Sequence, residues 1–287
     1  MTIAPTFSAG SNNRHHPPLS FAVAAGLASA VPHWLLYAAS RVGGAVHYCM
    51  AGDKRRNYLA NTRSLPKPRR HRPWHAFQNQ ALNVLELLKA ASEGEVASDL
   101  SLHGEHTIRS ALDQGRGLIL TTFHTGNWEL AGLQLALRGY PVTTVAGEQL
   151  RKGWSDQVKA LKERFGLRMV GPGGGVRELV RNLQANRVVA LHLDGDLFIG
   201  GLEVLFFNRR VRVPRGPAHL SRITGAPIAF AFSHRTGKRQ LELTIENKTP
   251  PPASADEELR LTQRLVTRVE ERITEAPGQW CIFRRIE

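Results

Sequence analysis

The sequence predicts an α/β protein, an αβα sandwich around a mixed, mostly parallel sheet, and three observations point there. Between Leu118 and Leu193, short β-prone apolar runs alternate with stretches of helical period, the rhythm of parallel strands joined by covering helices. The runs Leu118 to Phe123 and Val188 to Leu193 begin with consecutive apolar residues, which suits strands covered on both faces. A chain of 287 residues and 31.8 kDa, 42% of them hydrophobic, is long enough to close one sizeable core of this kind. No internal repeat or linker breaks the chain. It divides into a tail over 1–18, an N-terminal helical segment over 19–50 and a single domain over 51–287.

Taken in order, residues 1–18 are rich in Ser, Asn, His and Pro and read as lacking fixed structure. Leu19 to Val31 is a thirteen-residue apolar run, closed by Pro32 and followed by a second apolar patch, Trp34 to Tyr37. That is short of the ~20 residues a membrane span needs. The segment fits a surface-lying membrane helix, a core helix or, with Arg14 and Ala28-Ser-Ala30, a signal peptide. Lys54, Arg55 and Arg56, then Lys67, Arg69, Arg70 and Arg72, suit a solvated face or attraction to an anionic leaflet. Phe77, Ala81, Leu85 and Leu88 recur at helical spacing and predict an amphipathic core helix. His103-Gly-Glu105-His106 lacks the helical His-Glu-x-x-His spacing, so no metal site is read there.

Further along, Tyr140 to Val145 predicts a strand, Trp154 to Phe165 a helix ended by Gly166, and Leu167 to Val170 another strand. Gly171-Pro-Gly-Gly-Gly175 turns sharply into a helix over Val176 to Ala185; it has neither the Lys-Ser/Thr of a P-loop nor the dinucleotide glycine spacing. Gly216 to Thr224 predicts a helix, and Pro227 to Ser233 and Leu241 to Glu246 predict strands joined by a turn at Arg235 to Lys238. After the proline-rich loop Thr249 to Ala253, Ser254-x-x-Glu257 is a capping box opening a last helix, with Leu265, Val266, Val269 and Ile273 inward.

The chemistry concentrates at Gly117-Leu-Ile-Leu-Thr-Thr-Phe-His124-Thr-Gly-Asn-Trp-Glu129-Leu. His124 and Glu129 fall where a strand hands over to a helix marked by Ala131, Leu135 and Leu137. Asn127 suits the N-cap, which puts Glu129 in the first turn, where the helix dipole favours a carboxylate. An imidazole of ordinary pKa ~6.5 accepts a proton from an alcohol near neutral pH, and a neighbouring carboxylate fixes its tautomer and stabilises the imidazolium. No Ser or Cys stands in a nucleophile motif, and there is no Gly-x-Ser-x-Gly elbow. The expected nucleophile is therefore a hydroxyl of the substrate. The strand over Val188 to Leu193 delivers Asp194 and Asp196 to its C-terminal edge, where open α/β sheets bind ligands. Arg164 is by type able to hold a phosphate or carbonyl through a fork of donors.

Composition narrows the partners. Thirty-eight Lys and Arg against 24 Asp and Glu give +14 and a pI near 10.6, a surface for anionic lipid headgroups, an acidic carrier protein or nucleic acid. No helix-turn-helix, zinc-finger or RNA-binding signature is present and aromatics do not interleave with the cations, so nucleic acid is not expected. Two cysteines, Cys49 and Cys281, make no disulfide framework.

His124-x4-Glu129, within His-Thr-Gly-Asn-Trp-Glu-Leu, resembles the His-x4-Asp/Glu motif of glycerolipid and glycolipid acyltransferases. Arg164-Phe-Gly166, Val188 to Asp196, Phe206-Phe207 with Val213-Pro-Arg215-Gly216, Thr224 to Pro227, and Ala276-Pro-Gly-Gln-Trp280 with Arg284-Arg285 follow in the same order. The series, over roughly residues 30 to 287, resembles the bacterial late acyltransferases of lipid A biosynthesis, a family that includes a phosphatidylinositol mannoside acyltransferase. The resemblance implies a fold similar to glycerol-3-phosphate acyltransferase and a fatty-acyl donor that is acyl carrier protein or acyl-coenzyme A. It implies a membrane glycolipid acceptor, first a lipid A precursor and alternatively phosphatidylinositol mannoside, and an enzyme docked through residues 19–50 on the cytoplasmic face of the inner membrane. His124 would be the general base and Glu129 its orienting carboxylate. Asn127, Arg164, Asp194, Asp196 and Arg215 would contact substrate, and the amides of the Thr125-Gly126-Asn127 turn would hold the oxyanion. Phe206 and Phe207 leading into Arg209, Arg210, Arg212 and Arg215 would take an acyl chain at one end and phosphate at the other. Neither metal nor cofactor is implied, because a thioester is already activated. The family's Asp-x-Asp usually carries glutamine where this chain has Gly195. From another class, a non-catalytic anionic-lipid-binding protein of the same fold would fit the same charge.

Overall fold

The computed structural model describes residues 18–65, 72–96, 99–145, 152–171, 175–194 and 201–286. The tail expected over most of 1–18, the cations Lys67, Arg69 and Arg70, the centre of the Gly171 to Gly175 turn, and Asp196 lie outside them.

Helices open the described chain: α1 (Leu19–Ala30), α2 (His33–Met50), α3 (Gly52–Thr62) and α4 (Trp74–Glu93). Pro32, without an amide hydrogen, divides the apolar run into α1 and α2. Strands and helices then alternate as β1 (Asp99–His103), α5 (Glu105–Leu112), β2 (Leu118–Thr122), α6 (Trp128–Leu137), β3 (Val142–Val145), α7 (Lys152–Arg164), β4 (Arg168–Val170), α8 (Gly175–Gln184) and β5 (Val188–His192). A hairpin, β6 (Leu202–Phe206) and β7 (Arg209–Val213), precedes α9 (Gly216–Thr224), β8 (Ile228–Arg235), β9 (Gln240–Ile245) and α10 (Ala255–Glu275).

The main sheet runs β1-β9-β8-β2-β5-β3-β4. Its pairs are parallel except β8 with β9, so the predicted mixed, mostly parallel sheet is present. The pleat sorts side chains into two cores. Ile119 and Phe123, Val189 and Leu191, and Ile228 and Phe230 face α8, α9 and α10. Leu118 and Leu120, Val188, and Ala229 and Ala231 face α5, α6 and α7. Helices thus cover both faces, and β2 lies between β8 and β5 near the middle of the sheet, so its C-terminal end opens at the centre of that edge.

Five elements were not separated in the sequence: β1 and α5, helix α3, and the two strands of the β6–β7 hairpin. β1 pairs in parallel with β9, 141 positions on at Asp99 and Gln240, and no local pattern announces such a partner. In the hairpin, Phe207 and Asn208 take φ of +47° and +58°, the two left-handed positions of a tight turn, without the glycine that usually marks one. Phe206 consequently points into the core while Arg210 and Arg212 face solvent, which separates the aromatic from the cations expected to share a site.

Helix α4 is the platform for the N-terminal segment. On α2, Leu36, Ser40 and Gly44 form the buried stripe, and a β-carbon at Gly44 would lie 2.5 Å from the Cα of Gln78, so the two helices touch there. Phe21, Ala25 and Ala28 of α1 pack on Leu88 and Trp154. The opposite faces carry Leu19, Val23, Leu27, Trp34, Val42, Val46 and Met50, all exposed. Among the described residues no helix is long and apolar enough to cross a membrane.

Candidate active site

The turn from β2 into α6 is tied down from three directions. Gly126 takes φ of +59°, and a β-carbon there would lie 2.7 Å from the carbonyl oxygen of Ser233, so only glycine fits. The Ser233 hydroxyl donates to the Thr125 carbonyl at 2.6 Å. From the C-terminal segment, the amide of Cys281 donates to the His124 carbonyl at 2.8 Å, and that of Gly126 to the Gln279 carbonyl at 3.2 Å. From α4, Asn79 and Asn83 both donate to the Gly126 carbonyl, at 3.0 and 2.6 Å.

Asn127 is the N-cap the sequence predicts: its side chain accepts from the amide of Leu130 at 3.1 Å. Its amide nitrogen donates to Glu86 Oε2 at 2.7 Å. Arg235 on β8 closes the network, forking onto both oxygens of Glu86 at 2.9 and 2.6 Å and onto Asn83 at 3.1 Å. Asn127, expected to contact substrate, is wholly buried with both ends of its side-chain amide engaged within the protein.

His124 sits at the mouth of β2 with its ring almost buried, and Asp194 at the mouth of the adjacent β5 faces it. Nδ1 of His124 donates to Asp194 Oδ1 at 2.8 Å. Asp194 Oδ2 accepts from the His124 amide and from the indole nitrogen of Trp280, each at 2.9 Å. Burial pushes the Asp194 carboxyl up, but the charge and hydrogen bonds of His124 outweigh it, and the group ends below the usual carboxylate range. A carboxylate accepting at Nδ1 favours the His124 tautomer that carries its proton there and leaves the lone pair on Nε2.

Glu129, expected to orient His124, has another partner. One turn into α6, its carboxylate meets Lys162 Nζ of α7 at 2.5 Å, and the acid on His124 Nδ1 is Asp194. Strand order supplies the other acid: β5 pairs in parallel with β2, Thr122 opposite His192, which sets Asp194 across from His124. Asp194, expected to touch substrate, is the acid set against His124.

The two arginines expected to contact substrate both have partners within the protein. Arg164 donates to the carbonyls of Ala90 and Ala91, closing the C-terminal end of α4, and its guanidinium lies over Phe165. Arg215 donates twice to Glu258 Oε2, at 3.1 and 3.0 Å; with His219 and Arg222 it surrounds that almost fully buried carboxylate at the start of α10. The amides of Thr125 and Gly126, expected in an oxyanion hole, already donate to Phe123 and Gln279. The first turn of α6 still presents the amides of Trp128 and Glu129, which have no partner within the helix.

Two aromatic residues flank the base. The His192 ring stacks on His124 with centroids 4.1 Å apart and planes 24° from parallel, and Trp128 meets it edge-on at 5.0 Å. Burial, then the charge of His124, holds His192 well below the ordinary imidazole range, so it is neutral. The Cys281 thiol, close to this centre, is pushed up to about 12 by burial and stays protonated. Asn79, Asn83, Glu86, Trp280 and His192 were not singled out as site residues by sequence. Trp280 and His192, each inside one of the family-like stretches, carried the only signal.

The family model described as bacterial lipid A biosynthesis acyltransferase matches residues 30–286. A phosphatidylinositol mannoside acyltransferase of Mycolicibacterium smegmatis is 30% identical over 200 residues, 67% of this chain and 64% of that protein. One of Mycobacterium tuberculosis, of the same description, is 31% identical over 189 residues, 63% of this chain and 58% of that protein. The chain thus spans about three-fifths of the length of these relatives. A match that includes the His124 turn, Asp194 and Trp280 in one model makes this chain a member of the bacterial lipid A biosynthesis acyltransferase family.

Proposed function

We propose that the protein transfers a fatty acyl group from a thioester donor, acyl-coenzyme A or acyl carrier protein, to a hydroxyl of a phosphatidylinositol mannoside. The observation that carries the reaction type is the buried His124–Asp194 pair at the C-terminal edge of the sheet, a general base with no Ser or Cys hydrogen-bonded to its ring among the described residues. Nε2 of His124 takes the proton of the acceptor hydroxyl as its oxygen attacks the thioester carbonyl carbon. Negative charge gathers on the carbonyl oxygen, and the amides at the start of α6 supply donors for it. The C–S bond then breaks, the ester forms, and the proton on His124 passes to the departing thiolate. Glu129 and Lys162 together keep a balanced pair of charges beside the reaction centre.

The acceptor rests on the descriptions of the relatives, and the family description favours a second reading, a lipid A precursor. Either lies in a membrane. The exposed apolar faces of α1 and α2, with Arg41 and Lys54 at their edge, suit docking on an anionic leaflet, whose cytoplasmic face presents the thioester donors. An acidic donor agrees with the charge of +14.

The test is a lipid mass spectrum of cells expressing the wild-type chain or His124→Ala at equal level. One glycolipid class should gain a fatty-acyl mass with the wild type alone. Identical spectra from folded, equally abundant proteins, in cells that make both acceptors, would remove the reaction from this chain.

A further inference from the structure

His192 is not accounted for by the hydrogen bonding of the site. Its Nε2 is buried and has no hydrogen-bond partner. A buried ring nitrogen left unpaired weakens a fold, and a leucine in its place would leave no polar atom unmet. The side chain is therefore not explained by stability. What it does touch is specific: its ring lies against the face of His124 at 4.1 Å, while the edge of Trp128 closes on His124 from a nearly perpendicular direction, 76°. Register explains the approach, since Thr122 and His192 are partners across β2 and β5, two residues before His124 and Asp194.

We propose that His192 is a positioning residue for acyl transfer, a neutral aromatic plate that holds the His124 ring in the plane where Nδ1 meets Asp194 and that steadies the imidazolium formed when the acceptor hydroxyl gives up its proton. The inference rests on His124 being the base of the proposed reaction. A neutral imidazole presents the electron-rich face of its ring to its neighbour, and that face attracts a cation more than a neutral ring. The attraction grows as His124 becomes charged, so it lowers the barrier without tightening substrate binding. Lys162 bears on His192 in the same direction as His124, both opposing its protonation; Asp194 acts the other way, and Glu129 pairs with Lys162. Protonation of His192 would abolish the effect by placing two like charges face to face, and its burial opposes this.

The experiment compares wild type, His192→Leu, His192→Phe and His124→Ala, each checked for folding by thermal melting, using palmitoyl-coenzyme A and phosphatidylinositol mannoside in mixed micelles. His192→Leu keeps the volume and removes the ring; kcat should fall roughly tenfold or more with KM for both substrates within about twofold. His192→Phe restores an aromatic face without either nitrogen, and kcat should return to within about threefold of wild type. A His192→Leu enzyme with wild-type kcat, or one whose loss appears in KM, overturns the proposal, as does a His192→Phe enzyme as slow as His192→Leu. If the wild type transfers nothing, or His124→Ala is as active as wild type, the underlying reaction is wrong and this inference falls with it.

Discussion

At the scale of single residues, the site separates two carboxylates that the sequence makes look interchangeable. His124 stands five positions before Glu129 and seventy before Asp194, so proximity along the chain favours Glu129. Space favours Asp194, because β2 and β5 are adjacent and in parallel register, which sets the ends of both strands side by side. His124 was legible because its strand-to-helix setting is local, and Asp194 was legible as an acid on the ligand-binding edge. Their pairing was not, because strand order is set by the whole fold. The Asp194 pair also has a pH consequence. Its carboxyl is depressed in the folded protein, so the stability it contributes is present above the ordinary value of ~3.9 and is lost as pH falls through the lower, folded value. Melting temperature measured from pH 5 downward should fall less steeply for Asp194→Asn than for the wild type, although the variant melts lower at neutral pH.

At the scale of elements, α4 is read correctly as a helix and incorrectly as an apolar stripe. Phe77 and Leu88 are buried as predicted, but Asn79, Asn83 and Glu86 are buried beside them and hold the turn that follows His124. Polar residues between apolar ones look like a solvated flank until Arg235, contributed from β8, is known to meet them. The pair Glu86 and Arg235 is nearly enclosed, so Glu86→Ala leaves a buried guanidinium unmatched and should cost roughly 3 to 5 kcal/mol in denaturant unfolding. Gly126→Ala acts on the same turn more locally. With φ positive and the Ser233 carbonyl in the way, it should cut kcat more than it lowers the melting temperature, because the displaced turn carries the His124 backbone. The last helix was fully legible by contrast, because its capping Ser254 and its heptad-like Leu265, Val266, Val269 and Ile273 are local features.

At the scale of the whole molecule, the sheet and its two helical layers were predictable from strand and helix alternation, while the edge strand β1 and the β6–β7 hairpin depended on partners far away in sequence. The N-terminal helices extend the α5 to α7 side through α4 and turn their apolar residues outward. If that face docks on membrane, Val42→Asp or Val46→Asp should weaken binding to anionic vesicles roughly tenfold while circular dichroism is unchanged, since a buried valine contributes ~1.5 kcal/mol or more. Equal vesicle binding by wild type and both variants would place the contact elsewhere. Raising salt should weaken binding further if the cations beside α2 and α3 take part.

The identity of the carboxylate behind the base is decided by the steady-state rate of Asp194→Asn in the transfer reaction at neutral pH. Asparagine keeps the shape but can present its amide to Nδ1 and favour the wrong tautomer, so kcat should drop ~100-fold or more in a protein that still melts cooperatively. A folded Asp194→Asn enzyme within about threefold of the wild-type kcat would contradict the assignment, and the orienting role would return to Glu129.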